Sequence, residues 1–252
     1  MNQKAKRQGV PDVLLPTVTL ICVSGVNIED SVYALWRSSR SIKFGAVKII
    51  SPHRPSYLPE GFLHEVPHES KLDSIDSYSH YMIYDLWRHV DTDHCLVVQA
   101  DGYVLDESAW SYDFLRYDYI GAPWRVSENA YLDPWGRHVR VGNGGFSLRS
   151  KKLLEIPLKV HVPWDVNSND FYKHMNAGLF SEDGNICVHN RHIYEGENCE
   201  WAPIEVALSF SREKSIEFCF PRKVFGYHKK IRGVRNVIRD KVLRAQFAKE
   251  QN

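Results

Sequence analysis

The segment Gln99-Ala100-Asp101-Gly102 places an acid directly behind an apolar run, with a glycine after it that lets the chain turn sharply. A carboxylate in that position can hold a divalent cation, and a cation there can neutralise charge growing on a departing diphosphate. The same residues also make an ordinary strand-ending turn, and spacing alone favours that plainer reading. A second constellation, Gly142-Asn143-Gly144-Gly145-Phe146-Ser147, sets three glycines around one amide. Such a run lets a backbone approach a ligand closely and lets Asn143 hydrogen-bond sugar hydroxyls, while Asn-Gly equally encodes a tight hairpin with a bulge. A third, Ser181-Glu182-Asp183-Gly184, puts adjacent acids at the head of a helical stretch that runs through His189, His192 and Tyr194. A carboxylate there can take the proton of an attacking hydroxyl, and it can equally be a helix cap.

Other residues carry weaker signals. His189 and His192 lie three apart with no third ligand at a spacing that metal sites use. His228, in Phe225-Gly226-Tyr227-His228, follows a strand expected over 215–220. Trp110, Trp124, Trp135, Trp164 and Trp201 offer aromatic faces that stack on sugar C–H surfaces, although most tryptophans pack cores. Trp124 and Trp135 bracket a polar loop and, with Asn143, Gly144 and Gly145, are the choice for an acceptor side.

These residues need elements to position them. Residues 18–23 form a β-rich apolar run ending at Val23-Ser24-Gly25, a helical stretch follows over 28–42, and a second strand over 46–50 stops at Ser51-Pro52-His53-Arg54-Pro55. Strand, helix, strand is the opening of a parallel α/β sheet. Residues 76–90 read as a helix with Asp73, Ser74 or Asp76 as its cap, and 94–99 as a central strand. In open parallel sheets ligands sit beyond the carboxyl ends of the strands. Three such ends carry Val23, Ser24 and Gly25; His53 and Arg54; and Gln99, Asp101 and Gly102, which together form the expected donor site. Ser150 caps a short helix over 151–155, and a basic helix is expected over 231–249.

Composition narrows the classes. A chain of 252 residues that is 43% hydrophobic can bury one large core, and a net charge of +1 gives no global pull toward nucleic acid or anionic membranes. Cys22, Cys95, Cys187, Cys199 and Cys219 are scattered and odd in number, which fits neither a disulfide framework nor a zinc site. The basic N-terminus is followed by prolines instead of an apolar leader, and no stretch reaches the roughly 20 apolar residues of a membrane span. A cytoplasmic protein is therefore expected.

Taken together, Val98-Gln99-Ala100-Asp101-Gly102, Trp110, Tyr117-Asp118-Tyr119-Ile120-Gly121-Ala122-Pro123-Trp124, the segment from Gly142 to Ser150, Glu182-Asp183 and Phe225-Gly226-Tyr227-His228 resemble a bacterial family. It is a family of glycosyltransferase-like proteins found in surface-polysaccharide gene clusters, and the match covers about residues 18 to 228. The resemblance implies an α/β fold of the GT-A (Rossmann-like) type. That is a single domain over 17–228 with a mixed, mostly parallel central sheet, an N-terminal extension over 1–16, and a basic C-terminal helical tail over 229–252.

It further implies that Asp101 is the metal-binding acid of a Mn²⁺ or Mg²⁺ site and that His228 is a C-terminal metal ligand, with Gln99 standing where many such enzymes have a first acid. Glu182-Asp183 looks like the acidic pair that supplies the base in inverting members, with Asp183 preferred. The implied reaction moves a hexose, galactose by preference, from a UDP-sugar to a bacterial polysaccharide such as an O-antigen of lipopolysaccharide, or to a lipid-linked glycan. The tail, with Arg232, Arg235, Arg239, Lys241, Arg244 and Lys249, could rest on the inner face of the cell membrane, or pack on the domain. A carbohydrate-binding protein without catalysis is the alternative. A nucleotidyltransferase is disfavoured because Val23-Ser24-Gly25-Val26-Asn27 has no neighbouring Lys or Arg, and no motif points to nucleic acid.

Overall fold

The computed structural model describes residues 13–125, 132–164, 181–213, 223–229 and 234–251. Strand β1 (Val13–Val23), helix α1 (Ile28–Ser39), strand β2 (Ile42–Ile50) and the short β3 (Leu63–Glu65) open the chain. β1 begins before the apolar run because Pro16, which has no N–H to give the ladder, is absorbed by a shift of register between Leu15 and Thr19. Residues 13–16 are thus part of the sheet and not of an extension; residues 1–12 lie outside the described residues. α1 stops at Ser39, short of the expected 42, because Ile42 already pairs with Val13 in the β1–β2 ladder.

Helix α2 (Ile75–Tyr84) is capped by Ser74, whose hydroxyl accepts from the Ser77 amide at 3.0 Å while the Ser77 hydroxyl accepts from the Ser74 amide at 3.0 Å. It does not run to 90: Asp85 ends it, and Leu86–His89 tighten into a 3₁₀ turn. β4 (His94–Val97), β5 (Tyr119–Pro123) and β6 (Val141–Ser150) complete a six-stranded sheet of order β3-β2-β1-β4-β6-β5. β1, β2, β3 and β4 pair in parallel, whereas β6 is antiparallel to both β4 and β5. The glycine run therefore lies inside a strand. The hairpin reading of Asn143-Gly144 does not hold, and the bulges sit across from it in β5, between Ile120 and Pro123.

Strand residues alternate between two buried faces. Leu20, Cys22, Leu96, Val98, Phe146 and Leu148 pack with α1 on one side, while Ile21, Val23, Cys95 and Val97 pack with Met82 and Ile83 of α2 on the other. Helices α3 (Lys151–Leu154), α4 (Ile156–Lys159), α5 (Glu182–Gly184), α6 (Arg191–Gly196) and α7 (Ile204–Phe210) surround this sheet, with a π-helical turn, Asn185–His189, joining α5 to α6. A small ribbon pairs β7 (Ser211–Arg212) with β8 (Gly226–Tyr227). The strand expected over 215–220, with Cys219, lies outside the described residues. Cys22, Cys95, Cys187 and Cys199 are free and buried.

The basic C-terminal segment is helix α8 (Val234–Glu250), and it docks on α1. Phe247 is buried against the rings of Trp36, Tyr33 and Tyr57 at 5.1, 5.5 and 5.6 Å. Asp240 accepts hydrogen bonds from Tyr33 (2.8 Å) and Tyr103 (2.5 Å), and Arg244 reaches Asp30 at 2.9 Å. The helix thus belongs to the domain through an apolar anchor and a half-buried carboxylate. Among the described residues no helix is long and apolar enough to cross a membrane.

Replacing Phe247 by Ala should cost about 3–5 kcal/mol, as for other buried aromatics. Urea unfolding and limited proteolysis would register this as a lower midpoint and earlier cleavage within α8.

Candidate active site

A cavity of about 370 Å³ opens where the strand order reverses, between the carboxyl ends of β1 and β4. Its walls are Val23, Ser24, Gly25, Val26 and Asn27 behind β1, the segment from Leu72 to Ile75 with Tyr78 on α2, and Gln99, Ala100 and Asp101 behind β4. The sheet produces this opening: β1 continues to β2 on one side while β4 adds on the other, so the two connections diverge and leave a crevice. Val23, Ser24, Gly25, Gln99 and Asp101 are therefore brought together as the sequence suggests. Gly102 lies just behind, against the Gly145 carbonyl. His53 and Arg54 are exposed on the loop after β2 and do not line the cavity, because β2 is one strand removed from the crevice.

On the β4 side the polar groups form a chain. The Gln99 amide donates to the Tyr78 hydroxyl at 2.8 Å, the Gln99 carbonyl oxygen lies 3.1 Å from His228 Nε2, and His228 Nε2 lies 3.6 Å from Asp101 Oδ1. Burial holds the His228 imidazole below its ordinary value, against the opposing pull of Asp101 and Glu213. Its Nδ1 is buried without a hydrogen-bond partner and faces Glu213 Oε1 at 4.0 Å. In the contact with Gln99, His228 Nε2–H donates to the amide oxygen, which can only accept; a cation held at Nε2 would require the ring proton on Nδ1, where Glu213 Oε1 stands 4.0 Å away. No group of three or more His, Cys, Asp or Glu side chains with metal-binding geometry occurs among the described residues, so the amide of Gln99 would complete such a set.

β6 supplies the floor on which the other acids stand. A Cβ at Gly145 would overlap the His228 ring, and one at Gly144 would overlap the Glu182 carboxylate and crowd Asp183. The glycines admit side chains against the strand, not a ligand alone. Asp183 accepts from the Gly144 amide at 3.1 Å and the Gly184 amide at 2.8 Å, and also from the Ser181 hydroxyl. Glu182 is buried and pairs with Arg149, a guanidinium with no solvent exposure, at 3.2 Å. Burial, and then the charge of Asp183, push the Glu182 carboxyl up to about 7, with Arg149 opposing. Of the two acids, Asp183 is the less buried and the one not committed to a cation.

Asn143 is buried, donates to Glu213 Oε2 at 2.9 Å, and leaves its own carbonyl oxygen without a hydrogen-bond partner. Glu213 also pairs with Lys229. Trp124 is only 4% exposed and fills the space above Gly142, so it is a core residue and cannot offer a face to an acceptor. Trp135 is 61% exposed and packs edge-on to His192 at 4.8 Å. His189 is buried, with burial driving its imidazole down to about 4, which suits a structural ring. Tyr78, Arg149 and Glu213 were not singled out from sequence. A lone arginine between the apolar positions of a central strand was the available signal for Arg149, since it demands a buried acid.

Gly145→Ala should displace the His228 ring while leaving the circular dichroism unchanged, a contrast readable in the imidazole resonances by NMR. Glu182 also makes a pH prediction. In the unfolded chain its pKa is near 4.5, and folding raises it to about 7, so the folded state holds the extra proton between those values. Its contribution to stability is full below the lower value and is lost as pH rises through the higher one. The urea midpoint of the wild type should therefore fall, relative to that of Glu182→Gln, as pH rises from 5 to 7.

No curated protein sequence matches the chain at a significant level. Among solved structures, a glycosyltransferase involved in the glycosylation of the major capsid of PBCV-1 is 12% identical, with 91% of this chain and all of the other covered at a TM-score of 0.43. An active-site mutant of LgtC is 11% identical, with 90% of this chain and 95% of the other covered at a TM-score of 0.50. The second likeness is one of fold, and with the six-stranded, mostly parallel sheet and the C-terminal helix it identifies a glycosyltransferase-type α/β fold. Residues 63–228 match a family described as a protein of unknown function (DUF5672), and the chain belongs to that family.

Proposed function

We propose that the protein is a glycosyltransferase that takes a sugar from a nucleotide-sugar held in the cavity between β1 and β4. The observation that carries this reading is the convergence on Gly144–Gly145 of two groups with separate tasks: Asp101 with His228 and Gln99 on one side, and Asp183 on the other. The walls of the cavity hold Asp73 and Asp101 but no Lys or Arg among the described residues. A diphosphate entering them would need a cation to neutralise it, which favours a metal-assisted leaving group over a triphosphate-binding loop.

Asp101, His228 and Gln99 would hold Mn²⁺ or Mg²⁺, a mixed oxygen and imidazole set that suits Mn²⁺ somewhat better. The cation would stabilise the leaving diphosphate. The chain's own residues do the rest. Tyr78 and the turn after β1 border the nucleotide. The unpartnered Asn143 carbonyl oxygen accepts from a sugar hydroxyl, and Asp183, held in place by the Gly144 and Gly184 amides, takes the proton of the attacking hydroxyl. A single displacement of this kind inverts the anomeric centre. We further propose a UDP-linked hexose, galactose by preference, as donor, and as acceptor a bacterial surface polysaccharide such as an O-antigen or a lipid-linked glycan, with Trp135 near its entry. A cytoplasmic site of action, with α8 toward the membrane face, fits that acceptor.

Titration of UDP, GDP and CMP with and without Mn²⁺ should give metal-dependent binding of one nucleotide, lost in Asp101→Ala. Asp183→Asn should keep that binding and lower transfer or donor hydrolysis by about 10²–10⁴-fold. Binding of no nucleotide under any of these conditions would sink the donor-site reading and leave the carbohydrate-binding alternative.

A further inference from the structure

Helix α8 divides its charges unequally between its two faces. Its two acids turn inward: Asp240 accepts from Tyr33 and Tyr103, and Glu250 accepts from the Trp36 indole at 2.8 Å. Arg239 and Arg244, on the flanks, are answered by Glu107 at 3.3 Å and by Asp30 at 2.9 Å. Arg235, Lys241 and Lys249 are exposed and pair with no acid among the described residues. The outward face of the helix therefore holds cations and no carboxylate of its own.

That face is also apolar. Val234, Ile238 and Val242 are 76%, 56% and 52% exposed, and their four-residue steps set them in one stripe along the helix, continued by Ala245. Lys241 and Arg235 border the stripe on opposite sides, and Lys249 stands at its C-terminal end. A helix face that meets water gains nothing from Val and Ile, which are poorer helix formers than Ala, Lys or Glu and would stay hydrated there. Packing within the chain does not explain them, because Leu243 and Phe247 hold α8 to the domain from the opposite side. An apolar stripe rimmed by cations and free of acids is the pattern of a helix that lies in the plane of an anionic bilayer surface.

We infer that the outward face of α8 seats the protein on an anionic lipid bilayer, with Val234, Ile238 and Val242 at the boundary of headgroups and acyl chains and Arg235, Lys241 and Lys249 on the lipid phosphates. A second copy of the chain fits this face less well, since two such faces would bring their cations together. Arg244 holds Asp30, the neighbour of Ser31 in the cleft wall, so a seated α8 keeps the cleft close to the lipid surface. The inference rests on the proposed glycosyltransferase reading for its purpose, access to a lipid-linked acceptor, and not for its geometry.

The full chain should float with phosphatidylcholine vesicles that contain phosphatidylglycerol and not with phosphatidylcholine alone, and the binding should weaken as salt rises. Two double variants, Ile238→Ser with Val242→Ser and Lys241→Gln with Lys249→Gln, should each weaken that partition about tenfold or more. Both replace exposed residues, so the melting temperature and nucleotide binding should stay as in the wild type, which separates a lost surface from a lost fold. Asp101→Ala should float like the wild type, and a chain that floats in this way but binds no nucleotide would remove the donor site and leave the lipid surface standing. The inference is overturned if the chain does not float, if it floats equally with both vesicles, or if both double variants float unchanged. A dimer in sedimentation that the Ile238→Ser, Val242→Ser variant splits would assign the face to a second copy and overturn it as well.

Discussion

A guanidinium sealed from water has to be answered by an oxygen acceptor, and much of this protein's centre is arranged around that requirement. Arg149 lies on β6 with no exposure, and Glu182 answers it from the first residue of α5. Glu182 Oε1 accepts from the guanidinium at 3.2 Å, so the contact fixes where α5 meets the sheet. Once Glu182 is fixed, Asp183 is fixed with it, and the Gly144 and Gly184 amides set the direction of its carboxylate. The acid with a structural duty and the acid with a free oxygen face are neighbours in sequence because the first positions the second.

The same strand explains why the two halves of the centre meet. β6 runs antiparallel between β4 and β5, and at Gly144 and Gly145 it has no side chains to hold its neighbours away. His228 arrives from β8, far along the chain, and rests on Gly145, within reach of Gln99 and Asp101 from the end of β4. The family match spans 63–228, so β1 and α8 lie beyond it, yet β1 forms one wall of the cleft and α8 closes the helical layer over α1.

The parallel half of the fold was legible in the sequence because its strands are short apolar runs stopped by Ser-Gly, Ser-Pro or Asp-Gly, and the crevice follows from their order. The cleft residues Val23 to Gly25, Gln99 and Asp101 were found on that logic. β6 was harder to read, since Asn143-Gly144 carries the same signal as a turn and only the ladder to β4 reveals a strand. Trp124 misled because an aromatic beside a polar loop looks available, while the cavity it fills is created by Gly142, on another strand. His53 and Arg54 follow a true strand end, but one displaced from the switch point. In α8 the docking determinants are single residues, Asp240 and Phe247, within a segment whose charge pattern reads as solvated.

The reversed direction of β6 has a further consequence for how such a protein can diversify. In a wholly parallel sheet, every loop at the ligand edge leaves a strand, so a change there also disturbs the helix that follows. Here the connection from β5 to β6 returns at the ligand edge and re-enters the sheet directly. Its length and chemistry can drift while the strand ends that hold the charged groups stay in register. That connection and the strand ends are thereby separately variable stretches of one polypeptide, which lets a lineage exchange the first without rebuilding the second.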